Sequence, residues 1–247
     1  MRVWPFLLLV ALPALGQGLL LESDLVQTFE LAPGEEAVGV LRLRNTGKEP
    51  LLVEITLADY REEPGFLPLG EAPRSLGGGG LSPEAGQVLL APGEARDVAF
   101  RVRAPGDLVG TRYAALLLTP AGGSPDGEGA GTQVGLRVVQ RYGVLVLVSH
   151  GGEPQVVFRG ARVGDGRLLL EGVNQGNRHY YPRVSYQVVG PQGVAARGDL
   201  GTFLFLPGEP KRLLVPLPSL SPGAYQVVVL LDDGLKAYAV RTRLDVR

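Results

Sequence analysis

A chain of 247 residues has room for one large domain or two ordinary ones. Its 24 Lys and Arg nearly balance 25 Asp and Glu, and the arginines are spread among apolar runs, so no electrostatic footprint for nucleic acid is present. The absence of cysteine excludes a disulfide framework, cysteine-based zinc sites, thiol catalysis and a lipid-bearing cysteine.

Residues 1–16 place Arg2 before an apolar core from Val3 to Leu12 and end in Ala14-Leu15-Gly16. These are the length and flanks of a cleaved secretory signal, too short for a spanning helix, with cleavage expected after Gly16. No later stretch approaches the roughly 20 apolar residues a membrane helix needs, so the mature chain is expected to be exported and not embedded in a membrane. Beyond the signal, 36 Gly and 20 Pro punctuate short runs rich in Val and Leu, the pattern of an all-β chain. A first strand is predicted over Leu19–Leu31. From Leu51, the residues Leu51, Val53, Ile55 and Leu57 alternate with Leu52, Glu54, Thr56 and Ala58, the period of a half-buried strand. Glu62 to Gly80, with Pro64-Gly65, Pro68, Pro73 and four consecutive Gly at 77–80, reads as a long, mobile loop. Val98, Phe100 and Val102 then form the apolar side of a further strand. After the Gly-rich stretch Ala121–Gly131 comes the longest β-like segment, Thr132–Val148, in which Gly143 is expected to kink the strand. The predicted domains are 17–148 and 155–247, joined by a linker at 149–154.

The second domain opens with a hairpin signal at Asp165-Gly166 and closes with another at Asp232-Asp233-Gly234. Its turn and strand signals repeat those of the first in the same order. Leu41–Arg44 followed by Asn45-Thr46-Gly47 matches Leu168–Val173 followed by Asn174-Gln175-Gly176. Pro92-Gly93-Glu94 matches Pro207-Gly208-Glu209, and the strand after Gly110 with Tyr113 matches the strand after Gly223 with Tyr225. Two copies of one module with seven or so strands each predict an all-β chain of two tandem immunoglobulin-like β-sandwich domains.

Few residues suggest chemistry. Tyr113 and Tyr225 are expected to hydrogen-bond back to the backbone at a sandwich corner, and Asn45 and Asn174 read as turn residues. His150 and His179 have no acid or nucleophile at a recognisable spacing, and Asp232-Asp233-Gly234 lacks the further oxygen ligands of a calcium loop. No catalytic residue, cofactor or metal site is predicted. The stripe Val134, Leu136 and Val138 has two readings. It either faces the core of domain one, or belongs to an exposed edge that offers backbone and apolar pockets to a partner strand. Arg141, placed near the domain junction, either points to solvent or clamps a partner's carboxylate.

Leu41–Gly47, Leu81-Ser82-Pro83 through Pro92-Gly93-Glu94 with Val98–Val102, Arg112-Tyr113-Ala114-Ala115-Leu116, and the long strand Val134–Val148 together resemble the PapD-like periplasmic pilus-assembly chaperones. The resemblance covers most of the mature chain in layout. It implies two immunoglobulin-like domains, a periplasmic location, a pilin-like exported subunit as partner and an outer-membrane assembly protein as a further one. By position, Val134, Leu136 and Val138 look like the stripe that family lends to an incomplete pilin, and Arg141 looks like a cleft base that anchors the pilin's C-terminal carboxylate. The second cleft base that the family places on the first strand is missing, since Leu19–Leu31 carries Glu22, Asp24 and Glu30 but no Lys or Arg. A structural or adhesive envelope protein reusing the architecture is the alternative, because fold alone does not fix function.

Overall fold

The computed structural model describes residues 18–121, 141–164 and 166–246, among which there is no helix. The strands form two tandem β-sandwiches. In the first, β1 (Leu19–Leu21), β3 (Glu36–Asn45), β8 (Ala95–Arg103) and β6 (Leu81–Pro83) make one sheet in that order. The facing sheet runs β2 (Val26–Glu30), β10 (Tyr142–His150), β9 (Gly110–Ala121), β4 (Leu51–Tyr60), β5 (Phe66–Leu67), with β7 (Gln87–Leu90) also on β4. In the second, β11 (Val156–Gly164), β12 (Arg167–Asn174) and β15 (Pro210–Pro216) face β14 (Gly193–Thr202), β13 (Arg183–Gly190), β16 (Gly223–Asp232) and β17 (Ala237–Val246).

Alternation sets each core. In domain one Val53, Ile55, Leu116, Leu118, Val144, Val146 and Val148 meet Leu41, Leu43, Val98, Phe100 and Val102 of the opposite sheet. Leu168, Leu170, Val184, Val188, Leu213, Val215, Val227, Val229 and Leu231 do the same in domain two. Each such side chain stabilises its domain by about 1.5–3 kcal/mol relative to exposure.

The repeat holds atom by atom. Asn45 and Asn174 are both buried at their strand ends. Asn45 Nδ2 donates to the carbonyls of Glu49 and Leu90, at 2.7 and 3.1 Å, and its Oδ1 accepts the Gly47 N–H. Asn174 Nδ2 donates to Arg178 and Phe205, also at 2.7 and 3.1 Å, while its Oδ1 accepts the N–H groups of Gly176 and Gln155. The backbone carbonyl of each Asn accepts the N–H of the Gly in the following Pro-Gly-Glu turn, Gly93 at 2.9 Å and Gly208 at 2.7 Å. These glycines have φ of 74° and 80°, the left-handed region that Gly enters without steric cost. A third such turn, Pro33-Gly34-Glu35, was not singled out from the sequence. In it Glu35 accepts the Ala32 N–H, as Glu94 accepts that of Ala91.

The structure corrects three expectations. The first strand is two: β1 pairs antiparallel with β3, whereas β2 crosses to the other sheet and pairs parallel with β10 from Val26↔Leu145 to Glu30↔Ser149. Alternation along a strand cannot reveal which sheet each half joins. The segment 62–80 is pinned, not loose. Asp59, wholly buried, accepts the N–H groups of Gly70 and Ala72 and the Ser75 hydroxyl, and Arg74 and Leu76 bond the backbone of Tyr113. Gly143 makes no break, because β10 pairs with β9 continuously from Tyr142↔Leu118 to His150↔Gly110.

Candidate functional site

Strand β10 links the two regions that bear on function. Its even positions Val144, Val146 and Val148 enter the core of domain one. Its odd positions face the other way: Leu145 and Leu147 join Tyr113 and Ala115 of β9 and Leu206 of domain two in a separate buried cluster, with Val26, Tyr60 and Leu204 packed against it. A run that is apolar on both faces therefore marks a strand sandwiched between its own core and the neighbouring domain.

The junction end of β10 is polar and buried. Ser149 Oγ and Thr111 Oγ1 lie 2.8 Å apart, and His179 Nδ1 is 3.1 and 3.0 Å from them. The His179 N–H donates to Thr111 Oγ1 at 2.9 Å, and the Thr111 N–H to the Asn177 carbonyl at 2.8 Å. Burial, and next the charge of Arg178, push the His179 imidazole down to about 4, so it is neutral near pH 7. The cluster joins the domains through neutral hydrogen bonds, and among the described residues no carboxylate is bonded to the imidazole in the manner of a catalytic triad.

Around this centre the domains are tied by ion pairs. Arg178 meets Glu30 at 2.6 Å. The β4–β5 turn reaches β15 and its preceding turn: Arg61 pairs with Glu209 at 2.9 Å, Glu62 with Lys211 at 2.7 Å and Glu63 with Arg212 at 2.8 Å. Glu209, only 4% exposed, also accepts the Glu62 N–H. Thus the Pro207-Gly208-Glu209 turn directs its carboxylate across the interface, whereas the turns at Glu35 and Glu94 close on themselves.

The far end of β10 differs. The pairing with β2 begins at Leu145, and the residues before Val26 lead toward the opposite sheet. The Leu145 N–H donates to the Leu25 carbonyl at 2.8 Å, so the odd residues of β10 turn their backbone groups to the β2 side. By the same alternation Gly143 does too, yet no described strand pairs with Gly143 on that side. Its outer face is covered by Phe66, whose Cζ lies 2.1 Å from where a Gly143 Cβ would stand.

No family model and no curated protein matches the sequence. Among solved structures, the chain is similar to one from the CsuC–CsuE chaperone–tip adhesion subunit pre-assembly complex of archaic chaperone-usher Csu pili of Acinetobacter baumannii. The two are 12% identical, with 91% of this chain and 97% of that one covered, at a TM-score of 0.50. The fold is that of the PapD-like chaperones. The chain is also similar to the class 5 fimbriae chaperone CfaA, at 12% identity, 93% and 100% coverage and TM-score 0.49. The E. coli chaperone DraB is 14% identical, with 93% and 98% covered and TM-score 0.45.

Set against the PapD-like layout, the sequence-predicted site divides. Val134, Leu136 and Val138 lie outside the described residues. Arg141 is exposed and precedes β10 at the end remote from the junction, not near it as expected. The 9 residues of β10 that separate it from domain two span about 30 Å. The first strand places Glu30, not a base, at the interface, and its partner Arg178 comes from domain two. The cations Arg61, Lys211 and Arg178 at the junction are each engaged by a carboxylate. Sequence reading missed this charged junction because its partners lie about 150 positions apart. The available signal was the Glu run Glu62-Glu63 beside Arg61, matched by Lys211-Arg212 after Glu209.

Proposed function

We propose that this chain is a non-enzymatic, periplasmic chaperone-like protein, exported through a cleaved signal, that holds a pilin-like exported subunit by strand addition within residues 132–148, on the part that precedes Leu145. The observation that carries this reading is that β2 covers β10 from Leu145 to Ser149, while no described strand pairs with that side of β10 before Leu145. An added strand would continue the line of β2, taking main-chain hydrogen bonds from β10 and side-chain pockets from its alternating positions. Val134, Leu136 and Val138 supply those pockets on this reading, and Arg141, exposed beside the opening, takes a partner carboxylate. That a chain of the same fold occurs in a complex with a tip subunit supports a subunit as client. An outer-membrane assembly protein is the recipient this role implies.

The test begins with the mature protein captured from its own envelope and the subunit that accompanies it. Leu136→Asp with Val138→Asp should abolish co-purification while leaving the urea midpoint unchanged. Undiminished capture would show that the edge is not the binding site. Arg141→Ala should weaken a partner with a free C-terminal carboxylate by about tenfold, the worth of one charged hydrogen-bond pair. An equal loss for a C-terminally amidated partner would remove Arg141 from that role.

A further inference from the structure

The side of β10 before Leu145, with which no described strand pairs, carries a side chain that belongs to neither β10 nor β2. Phe66 of β5 pairs with Tyr60 in the ladder, and the two rings sit 5.4 Å apart. The Phe66 ring tip occupies the space in which a side chain at 143 would stand. In effect Phe66 is the side chain of position 143, delivered from another strand. Such delivery requires Gly at 143 and a fixed hairpin. Both are present, because Arg61, Glu62 and Glu63 bind the hairpin to Glu209, Lys211 and Arg212 of domain two. Although held on one side by β10, the ring is 47% exposed.

The row nearer the junction shows what suits this face. There β2 places Val26 opposite Leu145, and Val26 packs into the apolar cluster that holds Leu147 and Leu206. The next odd position outward is Gly143, where β2 supplies nothing. A strand added on that line would lie about 4.8 Å from β10 and set its same-face side chain beside the Phe66 ring. We infer that Phe66 is a specificity-determining residue: it selects a strand of the exported subunit that carries a bulky aliphatic or aromatic side chain opposite Gly143. A charged side chain there would lose water against the ring without gaining a partner. The inference rests on the strand-addition reading and adds to it which residue sets the register.

The test uses labelled peptides of about ten residues alternating Thr and Val, a strand-length design, in which one Val at a time becomes Phe, Ala or Lys. Binding to the full mature chain is followed by fluorescence anisotropy. One position should favour Phe over Lys by about five- to tenfold, the range expected of an aromatic contact. In Phe66→Ala that preference should shrink to less than about twofold, the residue of ordinary burial, with other positions unaffected, and Phe66→Leu should keep its direction. Gly143→Ala, which keeps Phe66 but displaces its ring, should erase the same preference. It serves as the second variant if Phe66→Ala lowers the urea midpoint. An intact preference in both variants overturns the inference while strand addition stands. No binding by any peptide overturns strand addition and the inference with it. A peptide-free dimer that Phe66→Ala dissolves would make a second copy of this chain the occupant, and would overturn the proposal also.

Discussion

Asn45 and Asn174 satisfy backbone groups on two and three separate segments respectively, from side chains that solvent does not reach. Asn174→Ala would leave two N–H and two carbonyl groups without that partner, at a cost of at least about 3 kcal/mol, since each buried unsatisfied group costs about 1–3. The expected outcome is a lower urea midpoint for the transition of domain two, with Asn45→Ala acting likewise on domain one. His179 gives a prediction of opposite origin. Its folded pKa of about 4 lies below the ordinary imidazole value of 6.5, so the unfolded chain takes up the proton first. The stabilisation is full above pH 6.5 and is lost as pH falls toward 4, by up to about 3 kcal/mol. His179→Gln should flatten that part of the stability–pH curve measured by urea unfolding. At this scale the sequence was legible in residue type and not in burial. Asn beside Gly announced a turn, yet nothing local showed that its amide would be enclosed. Tyr113 and Tyr225 looked alike from their spacing after Gly. Tyr225 does donate to the Ser221 carbonyl at 3.0 Å, but Tyr113 is buried between the domains with no hydrogen-bond partner for its hydroxyl among the described residues.

Strands were legible wherever one face is buried, because alternation of period two then follows directly from the pleat. β4, β8 and β16 are of this kind. β10 has both faces covered, and its continuous apolar run concealed which side met domain two. The segment 62–80 misled for a different reason: its Gly and Pro residues do specify turns, but the order comes from Asp59, a carboxylate on the preceding strand. Gly143 shows the same dependence on distant parts. A Cβ at 143 overlaps the Phe66 ring, so Gly143→Ala is expected to lower stability by about 1–3 kcal/mol, the usual cost of overpacking. Removing the ring as well, in Gly143→Ala with Phe66→Ala, should recover part of that loss. Additive losses, measured in a double-mutant cycle by urea unfolding, would show that the two positions do not communicate.

For the molecule as a whole, the duplicated module supplies two cores, and the departures from duplication supply the junction. Glu94, held below the usual carboxylate range by the Ala91 N–H and by Arg96, stays within its own turn. Glu209, its counterpart, leaves its turn for Arg61 and the Glu62 N–H. Glu209→Ala is expected to cost about 1–3 kcal/mol of interdomain stabilisation, because the partly buried amide of Glu62 loses its acceptor and Arg61 its carboxylate, the latter discounted because Arg61 is partly exposed. Calorimetry should then resolve two transitions further apart than in the parent, and a single unaltered transition would mean that the domains are coupled by the Leu206 cluster alone. Two modules were legible from the recurrence of Asn-Gly, Pro-Gly-Glu and Gly-to-Tyr signals. Their mutual attachment was not, since it depends on pairs that become neighbours only after both modules have folded. The crossing of the first strand has a mechanical consequence. β2 runs parallel to β10 with 5 residues in register, and the chain enters β2 at one end and leaves β10 at the other. Tension drawn between the beginning of the chain and domain two therefore loads that whole ladder in shear at once, whereas the antiparallel β1–β3 contact peels bond by bond.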